Sequence, residues 1–147
     1  MRKEIWKRVK PWCVPVSVTL LFYLILQFVV LIGYVPSASM EPTLKENSFI
    51  IGTRIYSDLS VGDVVVFSHN GVLMVKRIAA GPGDVIDLSQ ISFMENLVPP
   101  DRGWECITVP PDCYYLLGDN QSDSLDSRYW DEPFVASADI VAKLFIK

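Results

Sequence analysis

The chain has 147 residues, 13 basic and 17 acidic side chains for a net charge of −4, and a mean hydropathy of +0.29. That length fits one domain plus an appendage, and the acidic balance argues against nucleic acid as a partner. Its only histidine is His69 and no Cys/His group has metal-ligand spacing, so neither a metal nor another cofactor is expected.

Residues 1–11 form a basic tail, in which Arg2, Lys3, Lys7, Arg8 and Lys10 stand against Glu4 for a charge of +4. Residues 12–33, "WCVPVSVTLLFYLILQFVVLIG", contain no charge. As a helix at about 1.5 Å per residue they reach roughly 30 Å, the thickness of a bilayer core. This predicts a transmembrane anchor with Pro15 in its first turn and Gln27 as its only strongly polar interior residue. Residues 34–147 hold 8 basic and 16 acidic side chains, a charge of −8. The positive-inside rule then leaves the tail in the cytoplasm and places the acidic domain outside the plasma membrane. A cleavable signal peptide competes for this N-terminus, because Ser37-Ala38-Ser39 is a small-x-small stretch; the apolar run exceeds the usual core of about 7–15 residues, which favours a retained anchor.

Next comes "VPSASMEPTL", residues 35–44. Read structurally, it is the polar exit of a membrane helix, stiffened by prolines. Read chemically, Ser39 is a nucleophile held between Pro36 and Pro42, with Ser37 on the same face of an extended chain. The residues alone leave both readings open.

Beyond residue 40 no convincing helical period appears. "SFIIGTRI", "DVVVFSH", "VLMVKRIAA", "DVIDL", "ECITV", "CYYLLG" and "DIVAKLFI" read as strands, separated by "SVGD", "HNG", "GPGD" and "VPPD". The expected fold is mainly β, a small antiparallel barrel or sandwich behind one N-terminal transmembrane helix. "HNG" makes a hairpin turn and puts His69 at an exposed tip, a poor position for a catalytic base. Cys13 packs as a small hydrophobe at the start of the span. Cys106 and Cys113 face an oxidising compartment, yet a simple hairpin sets Cys113 opposite Val109, so a disulfide stays open.

A serine nucleophile needs a base. In "VLMVKRIA" the alternation places Lys76 with Met74 and Ile78, and Arg77 with Val75 and Ala79. An ordinary lysine, with a pKa of ~10.4, is neutral about once in a thousand near pH 7.5, a handicap of roughly 4 kcal/mol that desolvation to about 7–8 largely removes. The plainer alternative is that Lys76 snorkels to the rim of the sheet. In "GDNQSDSLDSRYW", residues 118–130, glycine, asparagine, aspartate and serine make a turn-rich loop. There Asp126 and Arg128 suit an ion pair, and Ser124 is placed to reach a lysine ammonium.

Taken together and in this order, "SASMEPTL", "GDVVVF", "VKRIAAGPGD" and "GDNQSDSLDSR" resemble the motifs of bacterial type I signal peptidases, membrane-anchored serine proteases with a Ser/Lys dyad. The resemblance implies that Ser39 is the nucleophile and Lys76 the base. It implies an oxyanion hole built of the Ser37 hydroxyl and the Ser39 N–H, with Ser124, Asp126 and Arg128 in support. It implies no cofactor, with the signal peptides of exported preproteins and the lipid bilayer as partners. Family members accept small residues at the first and third positions before the cut, and Val35, Met74 and Val75 are the expected walls of those shallow pockets. Ala80 stands where the lysine motif usually has glycine, as does Asp131 after the last motif; both are turn positions that bear on local geometry rather than chemistry. Ser39 stands only six positions after Gly33, which keeps the expected nucleophile at most ~20 Å above the end of the span and suits a substrate still held in the membrane. Two rivals are a tethered β domain that binds signal-like segments without cutting them, and a self-cleaving Ser/Lys peptidase of related fold. The first sits poorly with the presence of both Ser39 and Lys76, the second with an external, anchored domain.

Overall fold

A computed structural model describes residues 2–87 and 106–146, with the side chains of residues 2–9 excepted. Leu88 and Glu105, expected at strand ends, lie outside the described residues.

Helix α1 runs Arg2–Phe28. Its segment Lys10–Phe28 is 19 residues long, apolar enough to cross a membrane, and none of it is buried against protein. The helix begins earlier than the charge pattern implied, so Pro11 and Pro15 are both interior rather than in the first turn. It also stops earlier. The apolar run changes conformation at Val29, and Val30–Val35 form strand β1 instead of the last turn of the anchor. A run of Val and Ile supports either form when both are apolar on every side, and here cross-strand pairing decides. The tether from the helix to Ser39 is therefore longer than expected, because β1 is interposed.

Strand β2, Ser48–Thr53, pairs antiparallel with β1 from Val30 opposite Thr53 to Val35 opposite Ser48. Strands β3, Val64–His69, and β4, Val72–Ala80, form the hairpin expected around Asn70-Gly71. Both turn residues have positive φ, 50° and 79°, the geometry that fits the twist of a two-residue hairpin. Among the described residues, short β5, Val85–Asp87, pairs with β6, Cys106–Thr108, in a two-stranded sheet. Strands β7, Cys113–Leu117, β8, Phe134–Ala136, and β9, Ile140–Leu144, complete a seven-stranded sheet in the order β1-β2-β9-β3-β4-β7-β8. The fold is thus mainly antiparallel β, as the sequence implied, with an open sheet rather than a closed barrel.

Strand β3 lies between β9 and β4 and is buried on both faces, which explains its continuous "VVVF". Val64 and Val66 join one core with Leu31, Met40 and Leu144; Val65 and Phe67 join another with Ile78, Leu116 and Ile140. Irregularities at Val66/Phe67 against β9 and at Ile78/Ala80 against β7 bend the sheet around these two cores. Gly52 is required where β2 meets β9, since a Cβ there would stand 2.7 Å from the Lys143 carbonyl oxygen.

Three local expectations change. Strands β6 and β7 do not pair with each other: Cys106 lies opposite Asp87 and Cys113 opposite Ala136, and both cysteines are free. Residues 36–44 are a series of turns rather than extended chain. His69 is half-buried, its ring stacked on Trp130 at 4.1 Å between centroids.

Candidate active site

Ser39 sits in the turns that follow β1, and Lys76 in the middle of β4 opposite Val65. The strand alternation sends Lys76 into the interior with Ile78, and it is only 4% exposed. Its amine meets the Ser39 hydroxyl at 2.8 Å and the Ser124 hydroxyl at 2.9 Å. The Ser37 hydroxyl lies 3.3 Å from that of Ser39, brought there by the turn.

A buried chain of polar groups continues behind the lysine. Ser124 donates to Asp126 Oδ2 at 2.7 Å, and that same carboxylate accepts from the Gly118 N–H at 2.9 Å. Arg128 closes the chain with a fork, Nε to Oδ1 and Nη2 to Oδ2, each 2.8 Å. Asp126 is fully buried, and burial alone would raise its pKa; the hydrogen bonds from Arg128, Gly118 and Ser124 outweigh this and hold it below the usual carboxylate range. Lys76 is shifted in the direction a general base requires. Burial lowers its pKa, and Arg128 adds to that, against the opposing pull of Asp126, Asp119 and Asp123. Asp126 does not touch the amine. Between them stands a neutral hydroxyl, which orients the lysine without locking it as an ammonium ion.

The sequence-predicted residues Ser37, Ser39, Lys76, Ser124, Asp126 and Arg128 therefore come together in one hydrogen-bonded line. Ser37, Ser39, Lys76 and Ser124 line a groove of about 600 Å³, together with Val35, Met74 and Val75, while Asp126 and Arg128 are buried behind it. Tyr34 and Pro36 extend the wall carrying Val35, and Leu73 extends the β4 wall. Ser122, Asp123, Leu125 and Tyr129 form the third side.

Sequence reasoning missed the groups that hold this line in place. Asn120 binds the Ser39 turn twice, its N–H to the Ser39 carbonyl at 3.0 Å and its side-chain amide to the Ala38 carbonyl at 3.2 Å. Gly118 is obligatory there, because a Cβ would fall 2.1 Å from Ser124 Oγ and 2.6 Å from the Ser39 carbonyl oxygen. On the opposite face of β4, Arg77 forks onto Asp119 at 2.8 and 2.6 Å, and also reaches the Gly62 carbonyl and the Thr43 hydroxyl. The signal was present in the alternation that turned Arg77 away from Lys76, but its partner lies 42 residues on.

Fold and site together define an antiparallel β domain in which a serine hydroxyl meets a desolvated lysine amine. The sequence profile described as signal peptidase, peptidase S26, matches residues 7–96 and 89–147, and the chain belongs to that family. It is 34% identical over 140 residues to a probable signal peptidase I-2 of Synechocystis sp., covering 82% of this chain and 63% of that protein. It is 29% identical over 142 residues to a signal peptidase I of Leptolyngbya laminosa, covering 82% of this chain and 69% of the other. To signal peptidase I S of Bacillus subtilis it is 27% identical over 146 residues, 83% of this chain and 79% of that one. The chain thus spans less than two thirds of the length of the Synechocystis relative.

Proposed function

We propose that this protein is a membrane-anchored serine endopeptidase that cleaves N-terminal signal peptides from exported preproteins, with Ser39 and Lys76 as its catalytic dyad. The observation that carries the proposal is the 2.8 Å contact between a nearly buried lysine amine and a serine hydroxyl at the floor of a groove. Family membership and the curated relatives, each named as a signal peptidase, supply the substrate class.

In this mechanism neutral Lys76 takes the Ser39 proton as the serine oxygen bonds to the scissile carbonyl carbon. The Ser39 N–H and the Ser37 hydroxyl donate to the oxyanion. The carbon–nitrogen bond then breaks, the leaving amine receives the proton from Lys76, and an acyl-enzyme remains. Water attacks that ester as it gives a proton to Lys76, the bond from the acyl carbon to the serine oxygen breaks, and Lys76 returns the proton to that oxygen, restoring Ser39 and the neutral amine. Asp126, held by Arg128, fixes Ser124, and Ser124 aims the lysine.

The anchor is α1, with its basic end in the cytoplasm and the β domain outside. Two further features support placement at the membrane surface. Strand β1 follows the helix directly, and the outer face of the β1–β2 pair exposes Ile32 opposite Ile51 and Tyr34 opposite Phe49. Tyr34 also lines the groove, so a substrate emerging from the bilayer meets the site close to lipid. The test is incubation of the full chain in detergent with a preprotein, the cut read by mass. A single cut after a small-x-small sequence is expected, lost in Ser39→Ala. A stable complex without product would favour the binding-only alternative instead.

A further inference from the structure

Resting on the peptidase reading above, the groove carries a feature that the dyad mechanism does not use. Among its described lining residues, only Lys76 and Asp123 bear a charge at neutral pH. The reaction requires Lys76 to be neutral, and its burial favours that form. The working groove is then negative, and its charge resides on Asp123.

Asp123 ends the short turn Gln121–Asp123, its N–H held by the Asn120 carbonyl at 3.1 Å. Asn120 is the same residue that grips the nucleophile turn through the carbonyls of Ala38 and Ser39. The backbone at 123 is therefore fixed relative to Ser39. The side chain is exposed, and its carboxylate has no hydrogen-bond partner among the described residues. Asp119 is committed to Arg77 and Asp126 to Arg128, so those neighbouring carboxylates are compensated. The β4 residues Leu73 and Met74, both apolar, line the same groove.

We propose that Asp123 is a specificity-determining residue that selects substrates with a basic or hydrogen-bond-donating side chain where the chain crosses the Ser122–Leu125 rim, and disfavours acidic ones. The contact is solvent-exposed, so its effect is a discrimination of several-fold and is screened by salt. Its effect on the ratio between substrates is distinct from its effect on the Lys76 pKa, which acts on every substrate alike.

The experiment uses the full chain in detergent and a set of otherwise identical peptides carrying Lys, Gln or Glu at each position from the third before the cut to the second after it. At one position kcat/KM should favour Lys over Glu by about fivefold at low salt, and the ratio should shrink at about 0.5 M salt. Asp123→Asn should bring that ratio close to one, and Asp123→Lys should invert it. Because Asp123 also raises the Lys76 pKa, beside Asp126 and Asp119 and against Arg128, Asp123→Asn should move the acid limb of the rate profile to lower pH. Ratios that are equal at every position in the unaltered chain, or unchanged in both variants, overturn the role of Asp123 alone. Failure of the unaltered chain to cut the Gln peptides overturns the peptidase reading and this inference with it.

Discussion

Lys76 and Arg77 are neighbours on one strand, and the sheet treats them in opposite ways. Lys76 points into the interior and, among the described residues, hydrogen-bonds to hydroxyl groups only, those of Ser39 and Ser124. Arg77 points to the other face and meets a carboxylate head-on, forking onto Asp119. The first arrangement keeps a cation desolvated without a direct counter-ion and so pushes it toward its neutral form; the second stabilises the charge, and the Asp119 hydrogen bond raises the arginine pKa. One strand thus carries a desolvated amine, the proposed proton acceptor, on one side and, on the other, a fixed charge that ties Thr43 in the Ser39 turn to Gly62 and to Asp119. Alternation of period two separates the jobs.

The sharpest way to break this comparison is to remove the dyad itself. Ser39→Ala and Lys76→Ala should each reduce processing by at least about 10³-fold while circular dichroism stays that of the intact fold. The double variant should be no worse than either single one, because the two act as a unit. Substantial turnover in Lys76→Ala would sink the assignment of the base.

Next in size is the support behind the lysine. Asp126 is fully buried and its partner Arg128 nearly so, with side-chain exposures of 0% and 2%. Asp126→Asn leaves the arginine buried without its counter-charge and should cost about 3–5 kcal/mol in denaturant unfolding. The equivalent change on the other face, Asp119→Asn, should cost less, about 1 kcal/mol, because Arg77 and Asp119 are 24% and 15% exposed and water screens the pair. Equal costs for the two variants would mean that the two ion pairs do not differ as described. Arg77→Lys should not restore what Arg77→Ala loses, since a lysine cannot supply the planar fork and reach Gly62 and Thr43 as well.

Much of this was legible before the fold was seen, for reasons that are local. The strands from β2 to β7 and β9 announce themselves by β-branched runs cut by Gly, Pro and Asn. The Lys76 environment follows from alternation within a single strand. What stayed hidden depends on partners distant in sequence. Strand β1 is apolar in every position that a membrane helix would need, and only pairing with β2 reveals it. His69 reads as a hairpin tip until Trp130 arrives from the far loop to stack on it. Asp119 and Asn120 read as turn residues, although they bind Arg77 and the nucleophile turn. Even so, the carriers of the proposed chemistry stand where the motif order put them, since each is fixed by a short segment, and the sheet has only to bring three segments together.

The smallest effect is also the most specific to the contrast between the two cations. Burial lowers the Lys76 pKa below its ordinary 10.5, so between the lowered value and 10.5 the unfolded chain binds a proton that the folded chain has released. Stability must therefore rise with pH across that window, and at neutral pH the buried lysine costs the fold something that it recovers in alkali. Lys76→Met keeps an unbranched apolar stem, one atom shorter, without the charge. It should be inactive yet more stable than the unaltered chain at pH 7, by about 1 kcal/mol, with the gap closing as the pH approaches 10.5. The rate of the unaltered chain should rise along a single ionisation, because only neutral Lys76 accepts the Ser39 proton, and the midpoint should lie below 10.5. Arg77→Met offers the counter-test: its charge is stabilised by folding, so this variant should be less stable at pH 7, not more. His69→Ala, which removes one ring from the Trp130 stack, should leave the midpoint of the rate profile where it was. If that midpoint falls instead near ~6.5 and disappears with His69, the base is histidine and the assignment of opposite roles to the two faces of β4 fails.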